Sequence, residues 1–384
     1  MLHRIQFIKL FFFLSFAVLQ SNHSAAQNLL RIELKGKPGS HLKDSLYIAG
    51  SFNGWNPGEH PFSFKTSADG IQYTEIKAVP SGIVEYKITR GSWATVETAK
   101  SGAAISNRVV QIKSDTTISI SIEAWADDFP GRPPVSTRSK NVFVIDTSFS
   151  IPQLNRKRRI WVYLPEDYAF NKKNYPVLYM HDGQNLFDAQ TSSYGEWGVD
   201  EMMDSIRMGR QRIVVGIDHG DTKRMTEYNP YTSRFGPGEG DAYVDFLVNT
   251  LKPYIDKTFR TKPSKESTFT AGSSMGGLIS LYAVVKYPSV FGAAGVFSPA
   301  FWIAPDLKKK IDSSSNLNSA VYFVCGELEG KEMVNDMKSV YDQLKQKGLK
   351  KLYYKQVKEG RHNENFWRTE MYNFYRWLFT NQIR

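Results

Sequence analysis

Residues 272–276 read Gly-Ser-Ser-Met-Gly, and the segments on either side of them constrain the local fold tightly. A β-branched run at 267–270 (STFT) precedes them, and an apolar run at 278–285 (LISLYAVV) follows. The first run is typical of a strand and the second of a helix, so the chain must turn sharply between them. Glycines at both ends let neighbouring backbone pass without a Cβ clash. Gly-x-Ser-x-Gly in this context predicts that Ser274 is an exposed nucleophile.

The first 26 residues predict a signal peptide. Arg4 and Lys9 give a positive start, residues 10–19 (LFFFLSFAVL) form an apolar core, and small residues precede Gln27. The apolar run is too short for a permanent membrane span. We therefore expect an exported protein, periplasmic or secreted, cleaved near Ala26 and without an integral membrane segment in the mature chain. An uncleaved N-terminal anchor is the alternative.

Composition excludes several other classes of protein. The formal net charge is +11, but lysine and arginine are spread along the chain and no nucleic-acid motif occurs, so we expect no nucleic-acid partner. The sequence lacks H-E-x-x-H, C-x-x-C and Walker motifs, so we expect neither a metal nor a cofactor. Cys325 is the only cysteine, in the apolar run 321–325 (VYFVC), which indicates a buried structural thiol.

The hydrophobic pattern divides the rest of the chain into two domains. Residues 28–125 contain short alternating strands separated by turn residues, which predicts an immunoglobulin-like β-sandwich. Residues 126–140 are proline-rich and read as a semi-rigid linker. From 141 to 384, apolar strands alternate with helical segments, which predicts an α/β fold with a mostly parallel sheet flanked by helices.

A serine nucleophile needs a base within hydrogen-bonding reach, and histidine suits that role near neutral pH. The α/β domain contains His181, His219 and His362. In the chain order of α/β-hydrolases the serine comes first, then an acid, then the histidine. Only His362 follows Ser274, and it lies just after the last strand-like run, so His362 is the predicted base.

The acid and the oxyanion hole follow from the same chain order. Residues 324–330 (VCGELEG) follow an intervening strand, and both Glu327 and Glu329 fit the acid by position. An oxyanion hole needs two backbone N–H donors, of which one belongs to the residue after the nucleophile, Met275. The second should come from the loop after the strand-like run 177–180 (VLYM), where Gly183 and Gln184 both qualify. His181 would then support that loop.

Residues 141–384 resemble the putative-esterase branch of the α/β-hydrolases, which includes feruloyl and acetyl-xylan esterases (carbohydrate esterase family 1), siderophore trilactone esterases and mycolyltransferases. The matching segments are 178–187 (LYMHDGQNLF), 272–277 (GSSMGG), 326–329 (GELE) and 360–367 (GRHNENFW). In that family the acid lies three residues after the glycine of the third segment, so the resemblance favours Glu329 over Glu327. Many members carry aspartate there, so the glutamate is a departure.

The N-terminal domain resembles carbohydrate-binding family 48, of the glycogen-binding type. The matching segments are 48–57 (IAGSFNGWNP) and 85–93 (EYKITRGSW). The resemblance implies a sugar-stacking platform formed by Trp55 and Trp93, assisted by Lys87 and Asn107. Flat aromatic faces suit the apolar faces of pyranose rings. Core packing of Trp55 is the alternative.

These features together predict an exported serine esterase that removes feruloyl or acetyl groups from a polysaccharide. Three alternatives remain open at the level of sequence. The first is a siderophore trilactone or another small ester as substrate. The second is acyl transfer to a sugar hydroxyl, and the third is a non-catalytic carbohydrate-binding protein.

Overall fold

The computed structural model describes residues 28–50, 52–53, 55–79, 81–102, 105, 107–129, 135–192 and 195–382. The predicted signal peptide and residues 130–134 of the predicted linker lie outside these ranges. Within them, no helix combines the length and the apolar character needed to cross a membrane.

The N-terminal part is β-rich, as predicted. One sheet has the strand order β3-β4-β1-β8 and a second the order β2-β5-β7, and both bury side chains in one shared core. A short pair, β6 and β9, completes the described strands of this part. The strands are β1 (Asn28–Gly36), β2 (Tyr47–Gly50), β3 (Lys65–Thr66), β4 (Gln72–Val79), β5 (Gly82–Thr89), β6 (Glu97–Thr98), β7 (Arg108–Ile112), β8 (Thr116–Ser121) and β9 (Ala124–Trp125).

Strand β5 shows how sequence sets the two faces of the second sheet. Val84, Tyr86 and Ile88 are buried in the core between the sheets. Because side chains alternate along a strand, Glu85 and Lys87 project from the opposite, outer face. Both are half-buried although they are charged.

The C-terminal part is built on one eight-stranded sheet with helices on both sides. Its elements are β10 (Val142–Ile151), β11 (Arg156–Tyr163), β12 (Val177–His181), α1 (Val199–Ser205), β13 (Ile213–Ile217), α2 (Arg224–Glu227), α3 (Gly240–Phe246), α4 (Lys252–Thr258), β14 (Thr268–Ser273), α5 (Met275–Lys286), β15 (Ala293–Phe297), α6 (Leu307–Ser313), β16 (Ala320–Gly326), α7 (Lys331–Gln346), β17 (Leu352–Val357) and α8 (Glu364–Gln382). The strand order is β10-β11-β13-β12-β14-β15-β16-β17.

Strand burial on both faces explains the near-continuous apolar runs. In β12, Val177 and Tyr179 belong to one hydrophobic core, whereas Leu178 and Met180 belong to the core on the other side of the sheet. A strand that is covered by helices on both faces buries every side chain, so its sequence is apolar throughout and does not alternate with polar residues. The free thiol of Cys325 is buried in one of these cores, as predicted.

The parallel part of the sheet defines where a site can form. Strands β13, β12, β14, β15, β16 and β17 run parallel in that spatial order. Their carboxyl ends therefore meet at one edge, which is where ligand sites of open α/β sheets lie. The loops after β12, β14, β16 and β17 carry the residues singled out from the sequence.

The turn at the end of β14 depends on close backbone packing that a Gly272→Ala substitution would disrupt. A Cβ on Gly272 would lie 2.8 Å from the backbone carbon of Gly276, so we expect the variant to lose on the order of 2 kcal/mol of stability. Gly39→Ala is the matched control, because a Cβ there meets nothing within 4 Å. Urea unfolding midpoints measure the difference, and equal midpoints for the two variants would contradict this prediction.

Candidate active site

Ser274 occupies a strained turn between β14 and α5. Its backbone has φ 57° and ψ −118°, a conformation that non-glycine residues rarely adopt. The surrounding backbone holds it there, because the Ser274 N–H donates to Phe297 O at 2.9 Å and its carbonyl accepts from Ala300 N at 3.1 Å. The side chain remains partly exposed between buried neighbours. This is the geometry that presents a serine hydroxyl for attack on a substrate.

His362 is held by Glu329. The Nδ1 of His362 donates to Glu329 Oε2 at 2.7 Å, and the Glu329 side chain has no exposed surface. Glu327, which sequence position alone did not separate from Glu329, is exposed. A short 3-10 turn over Glu327–Glu329 makes this difference, because it turns residue 329 back toward the sheet.

The second oxygen of Glu329 is also fully engaged. Glu329 Oε1 accepts hydrogen bonds from Gly326 N at 2.6 Å and from Ser298 Oγ at 2.7 Å. Three donors from three separate segments therefore fix the orientation of this carboxylate.

Ser298 and Trp367 are site residues to which sequence analysis assigned no role. Ser298 is buried directly after β15 with φ 43°, and its hydroxyl accepts from Trp367 Nε1 at 2.9 Å. The Trp367 ring meets the His362 ring edge-on with centroids 5.0 Å apart. Together they limit the orientations open to Glu329 and His362. No sequence motif predicts the contact between Ser298 and Trp367. Trp367 does lie within segment 360–367, which matches the esterases.

Glu329 also sets the protonation of His362. Burial by itself lowers the pKa of His362, but the hydrogen bond and charge of Glu329 raise it by more, with smaller contributions from Glu85 and Glu364. The pKa therefore lies above the ordinary value of 6.5. A histidine whose pKa is raised accepts a proton more readily.

Ser274, Glu329 and His362 follow the carboxyl ends of β14, β16 and β17 at one edge of the sheet. Among the residues with described positions, Ser274 Oγ makes no hydrogen bond, so the structure joins His362 to Glu329 but does not join it to Ser274. In enzymes without bound substrate this contact is often long and tightens when substrate arrives.

The loop after β12 lies against the turn that carries Ser274. A Cβ on Gly276 would be 3.4 Å from Asp182 Oδ2, and Asp182 is clamped by two hydrogen bonds from Arg224, at 2.7 and 2.8 Å. Sequence analysis did not foresee this ion pair, since its members are far apart in the chain. It fixes the turn that begins the predicted oxyanion loop.

The three predicted oxyanion donors have free N–H groups. Within the described ranges, the backbone N–H groups of Met275, Gly183 and Gln184 donate no hydrogen bond. Gly183 and Gln184 are buried in a 3-10 turn, and a Cβ on Gly183 would lie 2.9 Å from backbone atoms of β13 and the residue after it. Unpaired donors beside a nucleophile are what a developing oxyanion requires.

The other two histidines have internal partners. His181 is buried, with Nδ1 2.9 Å from the Tyr243 hydroxyl, and burial lowers its pKa to about 4. His219 accepts from Asp221 N at 2.9 Å through Nδ1, and burial also lowers its pKa. Both rings therefore stay neutral and serve the architecture of the loops.

The residues predicted for a sugar platform fall into two groups. The rings of Trp55 and Trp93 are half-buried neighbours, with centroids 6.4 Å apart and planes inclined by 36°. Lys87 and Asn107 are engaged within the β-rich part, because Lys87 Nζ donates to Ile105 O at 2.7 Å and Asn107 Nδ2 donates to Glu85 Oε2 at 2.9 Å.

The outer face of the β2-β5-β7 sheet borders this edge of the α/β sheet. Glu85 contributes to the raised pKa of His362, and the charge of Glu364 acts on Lys87. Gly82, at the start of the same strand, packs against Glu332 of α7, whose Oε1 would be 3.3 Å from a Cβ on Gly82.

This arrangement of a strained serine, a carboxylate-bound histidine and unpaired backbone donors on an α/β sheet defines a carboxylic ester hydrolase of the α/β-hydrolase fold. The family model described as Putative esterase matches residues 151–378. The chain therefore belongs to this esterase family.

Similar proteins include an uncharacterized protein and several named esterases. The uncharacterized protein YbbA of Bacillus subtilis is 29% identical over 244 residues, covering 58% of this chain and 92% of YbbA. An endo-1,4-beta-xylanase/feruloyl esterase of Xylanibacter ruminicola is 28% identical over 195 residues, which cover 49% of this chain but only 25% of that protein. The iron(III) enterobactin esterase of Escherichia coli is 27% identical over 150 residues, covering 39% of this chain and 34% of that protein.

Solved structures share the fold. The enterobactin esterase of Shigella flexneri has a TM-score of 0.54 at 16% identity, and the match covers 88% of this chain and 89% of that one. An IroE-like serine hydrolase of Shewanella oneidensis has a TM-score of 0.51 at 21% identity and covers 62% of this chain and 79% of that one.

Replacing Glu329 with glutamine should lower kcat by about 10³-fold or more, because the imidazole loses its orienting carboxylate. The pKa of His362 should fall as well, since burial would no longer be opposed by that charge. The acidic limb of the kcat/KM profile should therefore move to lower pH. Steady-state kinetics on p-nitrophenyl acetate across pH measure both effects.

Glu327→Gln is the matched control, because this neighbouring glutamate is exposed. It should retain activity within about twofold, as expected for a surface change. Equal losses in the two variants, or an unmoved acidic limb in Glu329→Gln, would contradict the role of Glu329.

Proposed function

We propose that this protein is a serine esterase that removes feruloyl or acetyl groups from a polysaccharide through an acyl-enzyme. Ser274 is the nucleophile, His362 the general base and Glu329 the acid that orients it. The observation that carries this proposal is the 2.7 Å hydrogen bond between His362 and Glu329 at the same sheet edge as the strained Ser274.

The reaction follows from these positions. His362 Nε2 takes the proton of Ser274 as Oγ forms a bond to the ester carbonyl carbon. The N–H of Met275 and that of Gly183 or Gln184 stabilise the oxyanion. The C–O bond to the leaving alcohol then breaks, and His362 returns the proton to that alcohol. Water attacks the acyl-enzyme by the same route and releases the acid and free Ser274.

The placement of the β-rich part supports a sugar-bearing substrate. Glu85 of this part acts electrostatically on His362, and Glu364 acts on Lys87, so a polymer held by the β-rich part would lie near the reacting ester. Trp55 and Trp93 are neighbours in the loops that extend the β2-β5-β7 sheet. Binding by the β-rich part would raise the local concentration of esterified polymer at Ser274.

The α/β part offers aromatic surface for an acyl group. Trp302 is 43% exposed and lies in the 3-10 turn after Ala300, the residue whose N–H binds the Ser274 carbonyl. Phe235 meets the Trp302 ring with centroids 6.5 Å apart. Trp197 and Tyr228, by contrast, are buried core residues. An aromatic feruloyl group suits the Trp302 surface through ring contact.

A siderophore trilactone is the second candidate substrate. The net charge of +11 suits an anionic ferric catecholate, and enterobactin and triacetylfusarinine C esterases are among the relatives.

A double substitution, Trp55→Ala with Trp93→Ala, should separate the candidates. Hydrolysis of feruloylated xylan should fall by about tenfold in kcat/KM, while hydrolysis of p-nitrophenyl acetate should stay within about twofold, because the platform binds only the polymer. Phe170→Ala is the control, since this exposed aromatic ring lies on the α/β part. Product release is measured by mass spectrometry.

An unchanged rate on xylan, or an equal fall on both substrates, would contradict the platform. A ferric catecholate trilactone is assayed in parallel. If its kcat/KM exceeds that of every xylan ester, the siderophore proposal replaces the polysaccharide proposal.

A further inference from the structure

Three acidic side chains converge beside the start of α1. Glu196, Asp200 and Glu201 each place a carboxylate oxygen within 4.8 Å of the other two. Glu196 and Asp200 are buried, and Asp200 has no exposed surface. Acids in the first turn of a helix commonly favour the helix dipole from the solvent side. Here Glu196 and Asp200 are instead packed inside the protein, whereas the Glu201 side chain is partly exposed.

The cluster lacks enough hydrogen-bond donors and positive charge. Asp200 Oδ2 accepts from Ser139 N at 2.7 Å, but Asp200 Oδ1 is buried without a partner, as is Glu201 Oε2. Among the described residues, the single salt bridge that reaches the cluster joins Arg368 Nη2 to Glu201 Oε1 at 3.9 Å. Burying a carboxylate without compensation costs several kcal/mol, roughly, so a cation or a proton must balance it.

We propose that Glu196, Asp200 and Glu201 bind a calcium ion. The donor set consists only of carboxylate oxygens, which suits a hard cation, whereas zinc prefers nitrogen and sulfur. Ca²⁺–O distances of roughly 2.3–2.6 Å allow two ligands of one ion to lie up to about 5 Å apart. The spacing of 4.8 Å fits that sphere. Sequence analysis predicted no metal here, because acids at positions i, i+4 and i+5 match no metal motif.

The ion would have a structural role, because its ligands lie next to residues that pack against the site. Trp197, next to Glu196, is buried against Trp367 with ring centroids 5.7 Å apart, and Trp367 contacts His362. The backbone N–H of Trp197 also donates to the carbonyl of Asn185 at 2.9 Å. Asn185 directly follows the predicted oxyanion donors Gly183 and Gln184. Calcium would therefore hold the segment on which both the histidine and the oxyanion loop rest.

The same cluster holds the segment that joins the two parts of the chain. Thr137 Oγ1 donates to Glu196 Oε1 at 3.0 Å, and the Ser139 N–H donates to Asp200. Ca²⁺ binding should therefore stabilise this connection together with the α/β part. The expected effect is on stability rather than on the chemical step.

Calcium binding is testable on the full chain after chelator treatment. Titration with CaCl2 by calorimetry should give one saturable site, and Tb³⁺ should show luminescence sensitised by the adjacent Trp197 that Ca²⁺ displaces. Saturating Ca²⁺ should raise Tm by about 2–5 °C. Asp200→Asn and Glu201→Gln should each weaken Ca²⁺ binding by about tenfold or more, since each removes a charged ligand.

Asp342→Asn is the matched control, because Asp342 is an exposed acid paired with Lys338 on α7. It should bind Ca²⁺ like the natural chain. Should either cluster variant fail to fold, the other variant and the natural chain still decide the matter. The proposal is overturned if the natural chain shows no saturable site at millimolar Ca²⁺, or if both folded cluster variants bind as well as the control.

A shared proton is the competing account, and it gives an opposite signature. Burial, with the charge of Glu201, raises the pKa of Asp200 to about 8. A carboxyl whose folded pKa is raised contributes stability below its unfolded pKa and loses it as pH rises through the folded value. Proton sharing therefore predicts that Tm falls between about pH 4 and pH 8 and does not respond to Ca²⁺. That result would overturn the calcium site.

Discussion

The buried carboxylate of Glu329 is the contact on which the geometry of the site depends. It receives donors from the end of β16, from Ser298 after β15 and from His362 after β17. Charge-assisted hydrogen bonds contribute about 1.5–3 kcal/mol each, and a buried carboxylate without them would be costly. The folded state therefore favours one arrangement of three neighbouring strand ends, and that arrangement fixes the orientation of His362.

The second constraint is the backbone conformation of the turn that carries Ser274. A residue at φ 57° and ψ −118° is strained by roughly 1–3 kcal/mol, which the surrounding structure must offset. Backbone hydrogen bonds to Phe297 and Ala300 do so, and the bare Cα of Gly272 permits the approach of Gly276. The hydrogen bond from Ala300 N also links the turn that carries Trp302 to the backbone of Ser274.

The sequence predicts the fold class well because its signals are local. In the α/β part, apolar strand-like runs alternate with segments of helical periodicity. In the β-rich part, short strands are separated by turn residues. These two patterns distinguish the two folds from the sequence alone. The Ser274 turn was readable because a sharp strand-to-helix turn requires glycine at fixed spacing. His362 followed from chain order, since no other histidine comes after the serine.

Contacts between distant segments could not be read in this way. Position in the chain left Glu327 and Glu329 equivalent, and only the 3-10 turn separates them by burying one. The pairing of Asp182 with Arg224 joins residues 42 positions apart and carries no spacing signal. The electrostatic effect of Glu85 on His362 depends on how the two parts of the chain pack. Such features arise from tertiary packing, which local patterns do not encode.

Covalent labelling tests the central claim, that Ser274 is activated by His362. The protein is incubated with a fluorophosphonate, and the adduct is located by peptide mass spectrometry. The account predicts a single stoichiometric adduct on Ser274, which is lost in Ser274→Ala and forms much more slowly in His362→Ala. Absence of labelling, labelling at another residue, or equal labelling in the His362→Ala variant would contradict it.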